Sequence, residues 1–108
     1  MNADKISETS KIFKLLSNET RLKILFLLEN NALDVSTIVK ELDLEQSTVS
    51  HQLSLLKKHQ LVSVERDGKR ILYSLRDPHI LTIVEMAYNH GSHVLKHQGH
   101  HYPSNQLL

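Results

Sequence analysis

Gln46-Ser47-Thr48-Val49-Ser50-His51-Gln52-Leu53-Ser54-Leu55-Leu56-Lys57-Lys58 shows two faces when wound as a helix at about 100° per residue. Val49, Leu53 and Leu56 recur at i, i+4 and i+7, the spacing of one buried stripe. Ser47, Ser50, His51, Ser54 and Lys58 fall opposite them. Small hydroxyls, an imidazole and an ammonium gain nothing from packing, but they suit a helix laid into a nucleic-acid groove. Upstream, Asp34 is placed to cap a short helix from about Val35 to Leu42 that buries Ile38, Val39 and Leu42. A brief turn near Asp43-Leu44 joins the pair, and the longer helix is expected to reach about Gln60. The pattern is a helix-turn-helix.

Working outward, Ile6, Ile12, Phe13 and Leu16 are spaced for a first helix. Asn18 is a natural N-cap for a second, with Glu19 in its first turn. Leu22 to Leu28 is apolar on nearly every side, which suits a central helix ended by Asn30-Asn31. Beyond the helix pair, Val62 and Val64 alternate with polar neighbours, as do Ile71, Tyr73 and Leu75 with Leu72 and Ser74. Asp67-Gly68 between these runs is a tight-turn signal. Asp77-Pro78 opens a last helix, expected to run past His93. The expected architecture is mostly α with a small β-hairpin, a winged helix-turn-helix. Residues 1–95 form one domain and 96–108 a His-rich polar tail.

Composition narrows the function. The chain has 108 residues, 40% hydrophobic and 23% charged, which is room for one core. It has no cysteine, which removes disulfides, Cys-based zinc fingers, iron–sulfur clusters and thiol catalysis. The densest apolar run is interrupted by Lys23 and is too short for a bilayer, and the polar start suggests no signal peptide. A soluble cytoplasmic protein with no membrane partner is expected. Thirteen basic residues against twelve acidic ones give no global attraction for nucleic acid. Locally the balance differs: Lys57, Lys58, Arg66, Lys69 and Arg70 outnumber Glu65 and Asp67. Arg66, Lys69 and Arg70 cluster at the hairpin tip, suited to phosphates or the minor groove. Gln46 can pair bidentately with adenine, and Ser47, Ser50 and His51 can reach phosphates or base edges.

Six of the eight histidines lie between His79 and His101. With His79 at zero, His90 falls near about 20° and His93 near about −40° on the helical wheel, so three imidazoles share one stripe. Asp77 stands at the same end as His79. The rise of a helix separates His79 from His90 by about 16 Å, too far for two ligands of one zinc. Two antiparallel copies would solve this, Asp77 and His79 of one helix meeting His90 and His93 of the other. Three nitrogens and one carboxylate oxygen suit tetrahedral Zn(II), with Co(II) and Ni(II) as competitors. Ile80, Ile83, Val84, Ala87 and Val94 border the stripe, for burial against the partner or the domain body. His59 and Tyr88 are read as structural.

Leu15-Leu16-Ser17-Asn18-Glu19-Thr20-Arg21-Leu22-Lys23-Ile24-Leu25 resembles the opening signature of the ArsR/SmtB family of bacterial metalloregulatory repressors. Gln46 to Leu56 resembles its recognition helix and Gly68 to Leu75 its wing, so the likeness spans about residues 8–95. Asp77, His79, His90 and His93 match the terminal-helix metal site of the SmtB/CzrA-like branch. The resemblance implies a homodimer, with terminal helices packed together, that represses an operator and releases it when metal binds. Metal efflux or resistance genes are the implied targets. Family sensors that bind metal near Asp34-Val35-Ser36 use cysteines there, so arsenic, cadmium and lead are disfavoured. Two other readings compete, a zinc hydrolase and a metal buffer built on the His-rich end. Against the first, four donors fill the shell, and Glu85, near about 240° on the wheel, faces away from it. The second leaves the polar helix face and basic hairpin without a purpose. His97, His100 and His101 are expected to add a looser site, to assist capture, or to do nothing.

Overall fold

The computed structural model describes residues 1–98. The elements run α1 (Ala3–Leu16), α2 (Glu19–Leu27), α3 (Val35–Leu42), α4 (Gln46–Lys58), β1 (Val62–Asp67), β2 (Arg70–Leu75) and α5 (His79–Gln98). Three helices begin with the same device. Asn2, Asn18 and Asp34 each sit in extended backbone and accept the N–H three residues on, each at 2.9 Å. Asp77 accepts the His79 N–H at 3.0 Å where α5 starts, and Pro78 stands just ahead of the first helical residue, His79, rather than in the helix. Asp43 turns the chain between α3 and α4 in left-handed backbone at φ 53°, which a short polar residue tolerates.

The core is one cluster drawn from every helix. Ile24, Leu25, Ile38, Val49, Leu53 and Leu56 are fully buried, joined by Leu16, Leu28, Leu61, Val62, Ile80 and Val84. The stripe expected on α4 is therefore its buried face. On α3 only Ile38 is fully buried, while Val39 and Leu42 stay partly exposed. α2 stops at Leu27 with Leu28 as its C-cap, before the Asn30-Asn31 pair expected to end it. Likewise α4 stops at Lys58, and Gln60 turns the chain at φ 64°.

The wing is an antiparallel hairpin registered from Val62↔Leu75 to Asp67↔Arg70. Asp67 is thus the last paired residue, and the turn is Gly68-Lys69 rather than Asp67-Gly68. Gly68 has φ +63°, and Lys69 is not among the residues with positive φ. That is the pattern of a two-residue turn needing glycine only at its first position. A Cβ there would meet nothing within 4 Å, so the backbone conformation, not space, requires the glycine. Leu33, ahead of α3, exchanges both backbone hydrogen bonds with Tyr73 at 2.8 and 2.9 Å, fastening the hairpin to the helix pair.

α5 crosses Gly91 without a break and continues through His97 to Gln98, past the Leu95 limit expected for the domain. His100 and His101 lie outside the described residues. Near the start of α5 and the end of α2, Glu29 faces Glu85. A hydrogen bond between the two carboxyls, some desolvation and their like charge raise the Glu29 pKa. A carboxyl with a raised pKa favours the fold while protonated, and that contribution is lost as pH rises through the raised value. Glu85→Gln should therefore raise the thermal midpoint at neutral pH, with the gain fading in mildly acid buffer. A gain that persists unchanged in acid would refute the pairing. Leu53→Ala, at a site with no exposure, should cost about 2–5 kcal/mol by denaturant unfolding.

Candidate nucleic-acid interface and metal centre

Burial of Val49, Leu53 and Leu56 turns the other side of α4 to solvent. Gln46, Ser47, His51, Ser54 and Lys58 are exposed there, and Ser50 is half-buried. Glu45 precedes the helix without a side-chain cap bond, so the first-turn N–H groups of α4 are open to an anionic group. A helix of this kind with a protruding basic hairpin has the form of a major-groove reader with a backbone clamp.

Arg66 and Lys69 are exposed on the wing. Arg70 is held differently. Its guanidinium lies 3.3 Å from the Asp34 carboxylate, the N-cap of α3, and so ties the wing to the helix pair. The Thr37 hydroxyl and backbone N–H, then Arg70, hold the Asp34 carboxyl below the usual aspartate range. Side-chain exposure of 58% still leaves Arg70 accessible, but part of its charge is already matched.

Arg21 is the residue that the sequence did not reveal. Its Nε donates to the Leu15 carbonyl at the end of α1 at 2.6 Å, and its Nη1 donates to Gln52 Oε1 on α4 at 2.9 Å. One guanidinium thus fixes the recognition helix to the α1–α2 corner. No periodicity signals a partner 31 residues away.

On α5 the four expected donors fall into two groups. Asp77 Oδ1 is 2.6 Å from His79 Nδ1, with both side chains largely exposed. A carboxylate oxygen and a ring nitrogen brought this close face one point, where both can serve a single ion. His90 and His93 lie about three turns further along and are also exposed. The helix is unbroken, so the two groups are about 16 Å apart along its axis. Among the described residues, no three acidic or histidine side chains of one chain converge on an ion-sized site. The donor types fit a divalent metal; their spacing fits it only with a second chain. Glu85 faces Glu29 instead of this stripe, leaving it unsuited to act as a general base for a hydrolytic metal.

α1 and α5 also present apolar surface. Phe13, Ile83, Met86, Tyr88 and Leu95 are 40–72% exposed, and Tyr88 stacks edge-on against Phe26 with ring centres 5.3 Å apart. Phe13, Leu16, Leu22, Phe26, Ile83 and Tyr88 line an open groove of about 350 Å³. Ile80, Leu81 and Val84, by contrast, face the body of the domain. The radius of gyration is 15.9 Å, against about 13 Å for a compact chain of this length. No described helix is long and apolar enough to cross a membrane.

Residues 18–64 match the family described as "Bacterial regulatory protein, arsR family". The chain is 33% identical over 94 residues to the HTH-type transcriptional regulator NmtR of Mycobacterium tuberculosis, covering 87% of this chain and 78% of that protein. It is 35% identical over 88 residues to a cadmium resistance transcriptional regulatory protein CadC homolog of Staphylococcus aureus, covering 81% and 73%. Among solved structures, the homodimeric winged helix-turn-helix DNA-binding domain Mb0332 of Mycobacterium bovis superposes with a TM-score of 0.79. It is 27% identical, with 93% of each chain covered.

Removing Arg66 or Lys69 should weaken binding to every duplex alike and flatten the salt dependence by about one unit for each phosphate no longer neutralised. Changing Gln46 or Ser47 should instead relax sequence preference. Titrations of cognate and scrambled duplexes over a range of salt separate the two effects. An unchanged salt slope in the wing variants would remove the wing from the interface.

Proposed function

Because this chain belongs to the arsR family of bacterial regulatory proteins, we propose that it is a metal-responsive transcriptional repressor, binding operator DNA as a homodimer and releasing it when a divalent metal is taken up. The observation that carries this reading is the split of donors along α5. Asp77 and His79 stand at its start and His90 and His93 about three turns on; the three imidazoles share one stripe, and the two pairs are too far apart to serve one ion alone. A second copy laid antiparallel brings Asp77 and His79 of one protomer to the partner's His90 and His93, giving two identical sites. The exposed apolar surface of α1 and α5 favours such a partner.

Three imidazoles and a carboxylate suit Zn(II), with Co(II) and Ni(II) as competitors. One relative is named for cadmium resistance, but this chain has no cysteine to offer that softer ion a thiolate. A bound ion supplies a cross-link between two α5 helices. The protein's own residues then convert that link into a response. Ile80 and Val84 anchor α5 in the same core as Val49, Leu53 and Leu56 of α4. Fixing the two α5 helices therefore fixes the separation and tilt of the two recognition helices. Ser47, Ser50, His51, Ser54 and Lys58 meet successive major grooves only at one separation. The metal-buffer reading leaves this polar face and the wing unused.

Linkage requires metal to weaken DNA binding by the factor by which DNA weakens metal binding, typically about 5- to 150-fold. Fluorescence anisotropy of an operator-like duplex with and without Zn²⁺ measures the first factor, and calorimetry of the protein–DNA complex the second. Unchanged DNA affinity on Zn²⁺ addition would refute the sensor. The cross-chain arrangement has its own test in a heterodimer of His79→Ala and His90→Ala chains. One of its sites loses two donors while the other keeps all four, so one strong site per dimer is expected. Equal damage to both sites would rule the arrangement out.

A further inference from the structure

His97 belongs to none of the four donor positions, yet the structure gives it a partner. α5 continues through Gly91 to Gln98, which places His97 one turn beyond His93 on the same side of the helix. The two rings lie with centres 4.1 Å apart and planes inclined at 52°. Both side chains are exposed, so burial does not explain their approach. Two histidines at i and i+4 on one helix face are an established arrangement for holding a metal ion. Nitrogen–metal bonds of about 2.0–2.1 Å put two ligating nitrogens roughly 3 Å apart, a bite compatible with rings this close.

We propose that His93 and His97 form a bidentate imidazole site, within a single chain, for a borderline divalent transition-metal ion such as Ni²⁺, Cu²⁺ or Zn²⁺. The site goes beyond the cross-chain reading because it needs no partner and uses a residue outside the four donors. It shares His93 with that reading, so each His93 serves one arrangement at a time. An ion on the pair keeps water on its remaining positions and stays open to exchange. His97 thus acts at capture: it holds the ion beside His90, and the ion leaves it when His93 joins the fuller donor set. Loss of His97 should slow metal association with the wild-type dimer and leave the final affinity nearly unchanged.

The test uses the full chain with Asp77→Asn and His79→Ala, which removes two of the four cross-chain donors. The amide oxygen that D77N introduces can still accept the backbone N–H at position 79, so the start of α5 is kept. Calorimetry with Ni²⁺ alone should show one ion per chain. Adding His97→Ala should lower that affinity about 100-fold, because a second donor on the same helix acts at high effective concentration. Substoichiometric Cu²⁺ should broaden the imidazole resonances of His93 and His97 first. Unchanged Ni²⁺ affinity on adding His97→Ala would overturn the proposal. So would broadening that spares this pair and falls on His100 and His101. If the Asp77→Asn, His79→Ala protein binds Zn²⁺ as tightly as wild type, the cross-chain reading fails, and the His97 comparison still decides this one.

Discussion

The complete burial of Val49, Leu53 and Leu56 is the constraint on which the rest of the molecule turns. A helix is rigid at about 100° per residue, so committing one stripe to the core dictates which side chains are left outside. The stripe fixes which positions of α4 face outward, and the core places no demand on the chemistry of those positions. Ile24 and Leu25 of α2 and Ile38 of α3 close around the stripe, and Arg21 adds a directional restraint through Gln52. Packing alone would leave α4 some freedom to slide. A guanidinium held between the Leu15 carbonyl and the Gln52 amide opposes that sliding at a point next to the α1 terminus.

What the sequence made legible is what depends on local chemistry. The caps at Asn18 and Asp34, the start of α5 at Asp77, and the buried stripe of α4 all depend on residues within a turn or two of each other. The features it did not disclose are long-range. Leu33 pairs with Tyr73 through backbone groups that carry no side-chain signature, and Arg70 meets Asp34 across 36 residues. The hairpin turn lies one residue beyond its expected place because Asp67-Gly68 and Gly68-Lys69 both put a glycine in the turn. Cross-strand register, with Asp67 opposite Arg70, decides between them. α5 crosses Gly91 as expected and runs on to Gln98, past the tail expected from about Lys96. One helical glycine costs only about 1 kcal/mol relative to alanine, which the neighbouring helical residues outweigh.

The donors show the same division. His79, His90 and His93 fall on one stripe by their spacing alone, with Asp77 just ahead of the helix, and α5 runs unbroken through all three histidines. The partner of His97 is not legible in this way, because its position depends on whether the helix continues past Lys96, where the sequence reads as a polar tail. The family match does not resolve this either, since it ends at residue 64, before α5 begins, while the likeness to NmtR extends over 94 residues.

α5 is therefore held by the body of the domain on one side and leaves apolar and imidazole side chains exposed around the rest of its surface. Ile80, Leu81 and Val84 are buried in the domain, whereas Ile83 and Met86 are exposed on the same side of the helix as the histidines, and Tyr88 and Leu95 are exposed on the other. A helix held only by the partner could move without disturbing α4. A helix held only by the body could not feel the second chain. Because the body-facing residues Ile80 and Val84 enter the same close-packed cluster as Val49, Leu53 and Leu56, a shift of α5 must be taken up by that cluster or passed on. Close-packed cores deform little, so a restraint between two α5 helices is more readily met by a change in how the domains face each other. In any dimeric helix-turn-helix protein the spacing between recognition helices must match that of the two half-sites, and it is set by how the two domains face each other rather than by the side chains that touch DNA.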